Sequence, residues 1–565
     1  MNTEFNRRIA LKMLASLMAS AALSGCTSSQ RESDCKNYQF AHFNAPNSDA
    51  LKLTPVWDMH AHFFNATDLL TVQYIMGPVL NDYLGNSFPF TRVLLTRVAS
   101  GILGVLLNKK EQIQASEELK WLNSSVACSP GAEYGKVSKE FFDVVSEEDH
   151  QKSLTTNREA PGMSFNALLN ASARELQGGF EKSNKLRFQQ NPEIEFTEDT
   201  ILNAIVGNSI YEQQKGLKSR FRSYSRCPDD PGFFSRIFAF AGRALVRRST
   251  NIQDYYDRYS REPLYNGAGV RHVMNIGCDF DFFLSDIGKL SFPHNQAISP
   301  IKDQIAVNEK LWEHTNGFAI PVLGVNPYKA FYDDDYCAQV DGALARGVYK
   351  GVKLYPSIGY SVTGKLRSKL HDFKFQGKGI TELQLQKGIN KLLDIVQNRK
   401  GYVTSHTTYS KGAESGAEAL ADSKYWGEVL KERPDLRVNF GHMGDTADRI
   451  SDSWRTGFLD LMLKYDNVYA DFGYHEYANY TKLKSDLQFL KNYQGMDSNK
   501  LFQRITYGSD WFMISKDKGA NAYLCSTITN FRKAITENLL DEKDYQGVFY
   551  GNASQFLTGR GAIDV

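Results

Sequence analysis

No charge of one sign dominates this 565-residue chain. Its 66 Lys and Arg face 64 Asp and Glu, and the net charge of +2 gives no electrostatic reason to expect a nucleic-acid partner. Nor is there a long run of one sign to suggest a binding tail. The seven cysteines include no CxxC pair, which excludes a structural zinc site of that spacing. Long apolar runs are also lacking: Ile9 to Leu23, and Val93 to Leu107 with Arg97 inside it, fall short of the about 20 residues a spanning helix needs. What is present is an ordinary globular composition, 42% hydrophobic and 12% aromatic, on a chain long enough to bury a large core.

Residues 1–25 read as an export signal: Arg7 and Arg8 precede the apolar stretch, which closes on small residues at Leu23-Ser24-Gly25-Cys26. That ending resembles a bacterial lipoprotein lipobox. The resemblance implies that Cys26 is lipidated and that the mature protein is exported and held to a membrane by acyl chains. The RRIALK run is also similar to a twin-arginine signal, although Ala10 stands where that motif favours Phe. Residues 26–50 are polar and form a lipidated N-terminus and tether. In an oxidising compartment Cys128 and Cys227 make a reasonable disulfide pair, whereas Cys278 follows an apolar run and reads as a core residue. Val93 to Leu107 reads as a buried helix, with a helix dipping into the membrane surface as the alternative.

Eight short β-rich runs follow one another: TPVWDMHAH near the start, then from residue 265 onward runs beginning at Arg271, Phe318, Gly351, Gly401, Leu436, Asn467 and Arg504. Segments of helical period, such as ITELQLQKGINKLLDIVQN from Ile380, separate them. This alternation predicts right-handed βαβ units, and eight of them predict an α/β (β/α)8 TIM barrel over residues 51–64 and 265–565. The gap between the first two strands is far too long for a loop. Residues 65–264 are therefore expected to form a large, mostly helical insertion after strand 1, leaving the barrel at its catalytic face as a cap.

Four of these runs end in metal-ligand side chains. DMHAH carries His60 and His62, VTSH ends at His406, NFGH at His442 and YGSD at Asp510. Alternate residues of a strand face the same way, so His60 and His62 project together. In a barrel of this kind the chemistry gathers at the C-terminal strand ends, where all five residues fall. Each has a bland alternative: a strand-end histidine is often a hydrogen-bonded structural group, and Asp510 could cap the next segment. An acidic residue closing an apolar barrel strand nevertheless needs a cation, and the histidines offer a place for one.

The set DMHAH, KGVKLYP, the SH at His406, FGHMGD, YGSDWF and FYGNASQFL resembles the amidohydrolase superfamily, specifically its amidohydrolase-2 branch of metal-dependent hydrolases and decarboxylases. The resemblance covers about half of the chain. It implies that His60, His62, His406 and Asp510 bind one divalent metal. His442 would then stand beside the metal as a catalytic side chain, and Asp510 would also accept a proton. Neutral imidazoles with a carboxylate suit zinc. Lys353 lies on the fourth strand, where some relatives carry a metal-bridging lysine; its GVKLYP context is similar to the mononuclear branch, and a binuclear site is the alternative. Lys353, Tyr355, His475, Glu476 and Trp511 are candidate contacts for a small-molecule substrate. His42, His150, His272, His294, His314 and His371 are expected to be ordinary.

The function expected from the resemblance is hydrolysis of an amide, lactone or ester carbonyl by metal-activated water. A non-oxidative metal-dependent decarboxylase shares nearly every one of these side chains. A third reading, a non-catalytic surface lipoprotein that binds a ligand, has no reason to keep five separated residues in this order.

Overall fold

The computed structural model describes residues 54–74, 113–123, 240, 243–260, 268–286, 298–409, 413–414, 416–445, 453–493, 498–517 and 522–558. The export signal, Cys26, the tether, the apolar run from Val93 to Leu107, and both Cys128 and Cys227 lie outside these residues.

Eight parallel strands pair in sequence order: β1 (Thr54–Ala61), β2 (Ala268–Ile276), β3 (Ala319–Gly324), β4 (Gly351–Leu354), β5 (Tyr402–His406), β6 (Arg437–Gly441), β7 (Val468–Asp471) and β8 (Ile505–Thr506). The expected (β/α)8 barrel is the observed fold. Strand β8 is only two residues long, yet its continuation closes the sheet against β1. Met59 N–H donates to the Tyr507 carbonyl at 2.9 Å, Asp510 N–H donates to the His60 carbonyl at 2.7 Å, and Ala61 bridges to Trp511. Closure leaves no sheet edge exposed.

Inside the barrel, Trp57, Met59, Met274, Ile276, Ile320, Val322, Tyr402 and Tyr469 form one apolar cluster. Its N-terminal end is plugged from outside by Phe556, whose ring lies 5.0 Å from Tyr402 and 4.9 Å from Tyr469. The C-terminal end, by contrast, is lined by polar and aromatic side chains. The barrel therefore offers one chemically equipped mouth.

The outer layer comprises α1 (Ala115–Asn123), α2 (Arg248–Tyr259), α3 (Ile301–His314), α4 (Pro327–Tyr332), α5 (Asp334–Ala345), α6 (Glu382–Asn398), α7 (Ser423–Glu432), α8 (Ser453–Lys464), α9 (Tyr480–Asn492) and α10 (Tyr523–Thr536). Helix α6 starts where the sequence pattern places it. Thr381 caps it through a reciprocal pair with Gln384, at 3.3 Å to the Gln384 N–H and 2.9 Å from its own N–H to Oε1. Its buried side, with Leu385, Ile389, Leu392, Leu393 and Val396, repeats at helical spacing.

Helix α2 falls inside the stretch assigned to the insertion but acts as the barrel helix between β1 and β2. Its Tyr255 hydroxyl reaches the β1 carboxylate of Asp58 at 2.6 Å. The described segments between β1 and β2 are pinned together by a buried ion-pair knot. Arg248 donates from Nε to Asp68 Oδ2 at 2.8 Å and from Nη1 to Glu118 Oε2 at 2.7 Å, while Glu118 Oε1 accepts the Ser249 N–H at 2.9 Å. Arg248 is 1% exposed and Glu118 fully buried, so neither charge survives there without the other.

Candidate metal centre

Six of the eight strands bring a titratable side chain to the C-terminal mouth: His60 from β1, Lys353 from β4, His406 from β5, His442 immediately after β6, Asp471 from β7 and Asp510 beyond β8. Backbone turns place some of them. His442, Met443, Tyr474 and Asp510 have φ of 69°, 45°, 67° and 56°, a left-handed conformation that side chains with a Cβ adopt only when the surroundings enforce it. At His442 the enforcement is visible at both ends of the residue. Its N–H donates to Asp471 Oδ1 at 3.1 Å, and its carbonyl accepts from His475 Nε2 at 2.8 Å.

Hydrogen-bond partners assign the imidazole tautomers. His60 Nδ1 lies 3.0 Å from both oxygens of Asp471. His62 Nδ1 faces the Ile276 carbonyl at 2.8 Å, and His442 Nδ1 faces the Gly473 carbonyl at 2.8 Å. His60 and His442 therefore carry their proton on Nδ1 and a lone pair on Nε2; His62 also holds a proton on Nδ1, and its Nε2 offers a lone pair once a bound cation displaces the proton there. The Nε2 atoms of His60 and His62 converge on Asp510 Oδ1, at 3.9 and 3.2 Å. Asp510 Oδ1 is buried and receives no well-aligned hydrogen bond. Two imidazole lone pairs and an under-satisfied carboxylate oxygen, within 4.8 Å of one another, are a donor set that fits a divalent cation and leaves positions open.

The expected ligand set is thus brought together in part. His60, His62 and Asp510 form one group; His406 is outside it. The His406 Nδ1 lies 3.1 Å from His442 Nε2 and, because that nitrogen is an acceptor, donates to it. This leaves Nε2 as the acceptor nitrogen of His406 too. Its ring stacks on Tyr355, 5.7 Å between centroids.

Electrostatics follow from burial set against neighbours. Burial lowers His442, helped by the His60 charge, to about 3, so this side chain is neutral at pH 7. His406 is driven well below its ordinary value by burial and then by His442 and Lys353. Burial would raise Asp510, but His62 beside it and the other nearby histidines outweigh burial and hold it at about 2. Burial pulls His62 down, yet the Asp510 carboxylate 3.2 Å from its Nε2 lifts it to about 9, which marks a place that calls for positive charge. Lys353, lowered to about 8 by burial, puts Nζ 3.1 Å from His60 Nε2.

Among the candidate substrate contacts, Tyr355 stays at the site: its hydroxyl is 3.4 Å from His62 Nε2 and accepts from Cys278 Sγ at 3.4 Å. His475 and Trp511 do not. His475 is fully buried and spends Nε2 on the His442 carbonyl, because the turn after β7 folds it behind that residue. Trp511, 1% exposed, packs edge-on against Tyr255 and Tyr259 of α2, with Arg243 over its ring at 4.7 Å. Glu476 points into solvent.

Sequence reasoning missed Asp471. It ends the apolar β7 run VYAD just as Asp510 follows β8, and the same rule, that a carboxylate closing a barrel strand needs a positive partner, would have found it. It also missed the glycines around His60. A Cβ on Gly441 would stand 2.8 Å from His60 Cε1, and one on Gly508 would stand 2.9 Å from His60 Cβ. The glycines of NFGH and YGSD are there because the His60 ring lies against their backbone.

Comparison with known protein families finds no matching profile, and no curated protein matches the chain. Solved structures with a similar arrangement include dihydroorotase from Campylobacter jejuni, at 14% identity and a TM-score of 0.27 over 45% of this chain and 70% of that one. A protein described as a metal-dependent hydrolase from Lactobacillus casei gives 12% identity and a TM-score of 0.32 over 45% and 69%. 4-Oxalomesaconate hydratase from Rhodopseudomonas palustris gives 11% and 0.30 over 51% and 76%. Likeness this low carries no functional reading; the geometry does.

Proposed function

We propose that this chain is a metal-dependent hydrolase acting on an amide, lactone or ester carbonyl of a small molecule. The observation that carries the proposal is the convergence of His60 Nε2, His62 Nε2 and Asp510 Oδ1 at the mouth of a closed barrel, each imidazole fixed from behind. These three would hold one divalent cation, with His406 as the fourth candidate and zinc the favoured ion for such nitrogen and oxygen donors. When bound, that ion supplies Lewis-acid polarisation and makes water a competent nucleophile at neutral pH.

The chain's own groups do the rest. Asp510, ionised at neutral pH, is placed to accept a proton from an attacking water. His442 is neutral, with Nδ1–H on the Gly473 carbonyl and Nε2 accepting from His406, so it orients or relays a proton through His406 rather than arriving as an imidazolium. The Tyr355 hydroxyl, beside His62, can donate to a developing oxyanion. The plugged N-terminal end keeps bulk water from entering behind the site.

The test is metal analysis of the purified full-length protein followed by assay against cyclic amides, lactones, esters and aromatic carboxylates. Release of an acid is expected. Release of carbon dioxide without acyl cleavage would replace hydrolysis by decarboxylation, and absence of any bound divalent ion would point to a binding protein instead.

We further propose that the protein lies outside the cytoplasm, held to a membrane through Cys26. Cys525 supports this. It is disulfide-bonded, and disulfides persist in oxidising compartments. No helix among the described residues is long and apolar enough to cross a membrane. Cys26→Ser should abolish incorporation of labelled fatty acid and release the protein from the membrane fraction; unchanged labelling would refute the anchor.

A further inference from the structure

Asp471 is fully buried, and the hydrogen bonds of its carboxylate all run to nitrogens. His60 Nδ1 lies 3.0 Å from each oxygen, Asn439 Nδ2 donates to Oδ2 at 2.7 Å, and the backbone N–H groups of His442 and Gly473 donate to Oδ1 at 3.1 and 3.0 Å. One carboxylate thus grips the side chain of a β1 residue and the main chain of the residue that follows β6. These are His60 of the ligand group and His442 beside it.

We infer that Asp471 is the positioning residue of the site: it fixes the Nδ1–H tautomer of His60, so that Nε2 faces the cation position, and locks the left-handed backbone of His442. This rests on reading the site as a cation centre. His60, His442 and Asp471 also bring ligand atoms within 4.8 Å of one another, which at first suggests a second cation. It is not one. The His60–Asp471 approach is attractive only with a proton between the two groups, and the remaining carboxylate lone pairs point at N–H donors, so a second ion would have to displace hydrogens already in place.

The same geometry says why the residue must be an acid. Asparagine would turn one acceptor oxygen into a donor facing other donors, since the hydrogen bonds of both oxygens run only to nitrogens. Nor can the cluster relax by moving. A Cβ on Gly508 would lie 2.9 Å from His60 Cβ and 3.1 Å from Asp471 Oδ1, and one on Gly473 would lie 3.0 Å from Asp471 Oδ1. The imidazole and the carboxylate are packed against bare backbone on that side.

The experiment uses full-length protein stripped of metal, with zinc alone and cobalt alone as probes. Nitrogen-15 histidine NMR of the metal-free wild type should show His60 as the Nδ1–H tautomer. In Asp471→Asn that state should be lost or mixed, and zinc affinity should fall by about 10–100-fold, with circular dichroism unchanged. Wild-type affinity together with an unchanged tautomer in Asp471→Asn would overturn the inference. Should that variant not fold, Gly508→Ala, which pushes on the same two groups, and Asn439→Ala, which removes one donor from Oδ2, should each shift the tautomer and weaken zinc; if neither does, the inference fails. A wild type that binds neither ion would sink the cation-centre reading, while the tautomer comparison would still decide the role of Asp471.

Discussion

Within the site, near-identical side chains are given different tasks by what faces them. His60 and His442 each carry a proton on Nδ1, but the first presents Nε2 to Asp510 and the second presents it to His406. Their removal should therefore have different consequences. Asp510→Asn removes an anionic ligand and a proton acceptor together, and should lose both bound metal and turnover. His442→Asn should keep most of the metal, measured by elemental analysis, while lowering kcat/KM by about 10²–10⁴-fold, the usual contribution of a positioned acid or base. Equal metal loss in both variants would count against the division. The histidine and Asp510 positions were legible in the sequence because strand ends are marked by alternation and by the loop that follows. The exclusion of His475 and Trp511 was not, since nothing in YHEY or SDWF reveals which way a turn rotates a ring.

Elements are held by contacts that no local pattern announces. Glu118 on α1 and Arg248 at the start of α2 are 130 residues apart and meet only in the folded chain. Glu118→Ala would leave a buried guanidinium half-paired, with Asp68 its remaining partner, and should destabilise the protein by about 3–5 kcal/mol in urea unfolding. A cost under about 1 kcal/mol, the range of an exposed pair, would show that solvent reaches the knot. On α6, a Cβ at Gly388 would collide with the Pro327 carbonyl of α4. Although alanine favours helix, Gly388→Ala should therefore cost about 1–3 kcal/mol through overpacking; a rise in Tm would mean α4 gives way freely. The period of α6 and its Thr381 cap could be read from residues 380–398 alone. Its glycine could not, because the reason for it sits on another helix.

For the whole molecule, burial of histidines makes acid a threat before carboxylates titrate. His442 falls to about 3 and His272 is also lowered, in both cases chiefly by burial. Each binds its proton more readily in the unfolded chain, near pH 6.5, so stability should fall as pH drops below that value, and continue falling toward pH 3. Asp58, raised to about 6 by burial, works in the opposite sense by taking up a proton when folded, and offsets part of the loss between about pH 6 and 4. Urea midpoints of the metal-free protein between pH 7 and 4 should decline; a flat or rising profile would contradict the burial of these rings.

Local periodicity and residue type were enough for the strand order, the helical segments between strands and the five strand-end ligand candidates, because alternation and end position are properties of short stretches. Only tertiary structure decided that α2 packs on the barrel, that His406 pairs with His442 outside the group of His60, His62 and Asp510, and that Asp471 clasps His60 from behind. Those facts depend on side chains from strands far apart in sequence meeting at one rim, where distance, tautomer and burial are set by the closed barrel rather than by any segment of it.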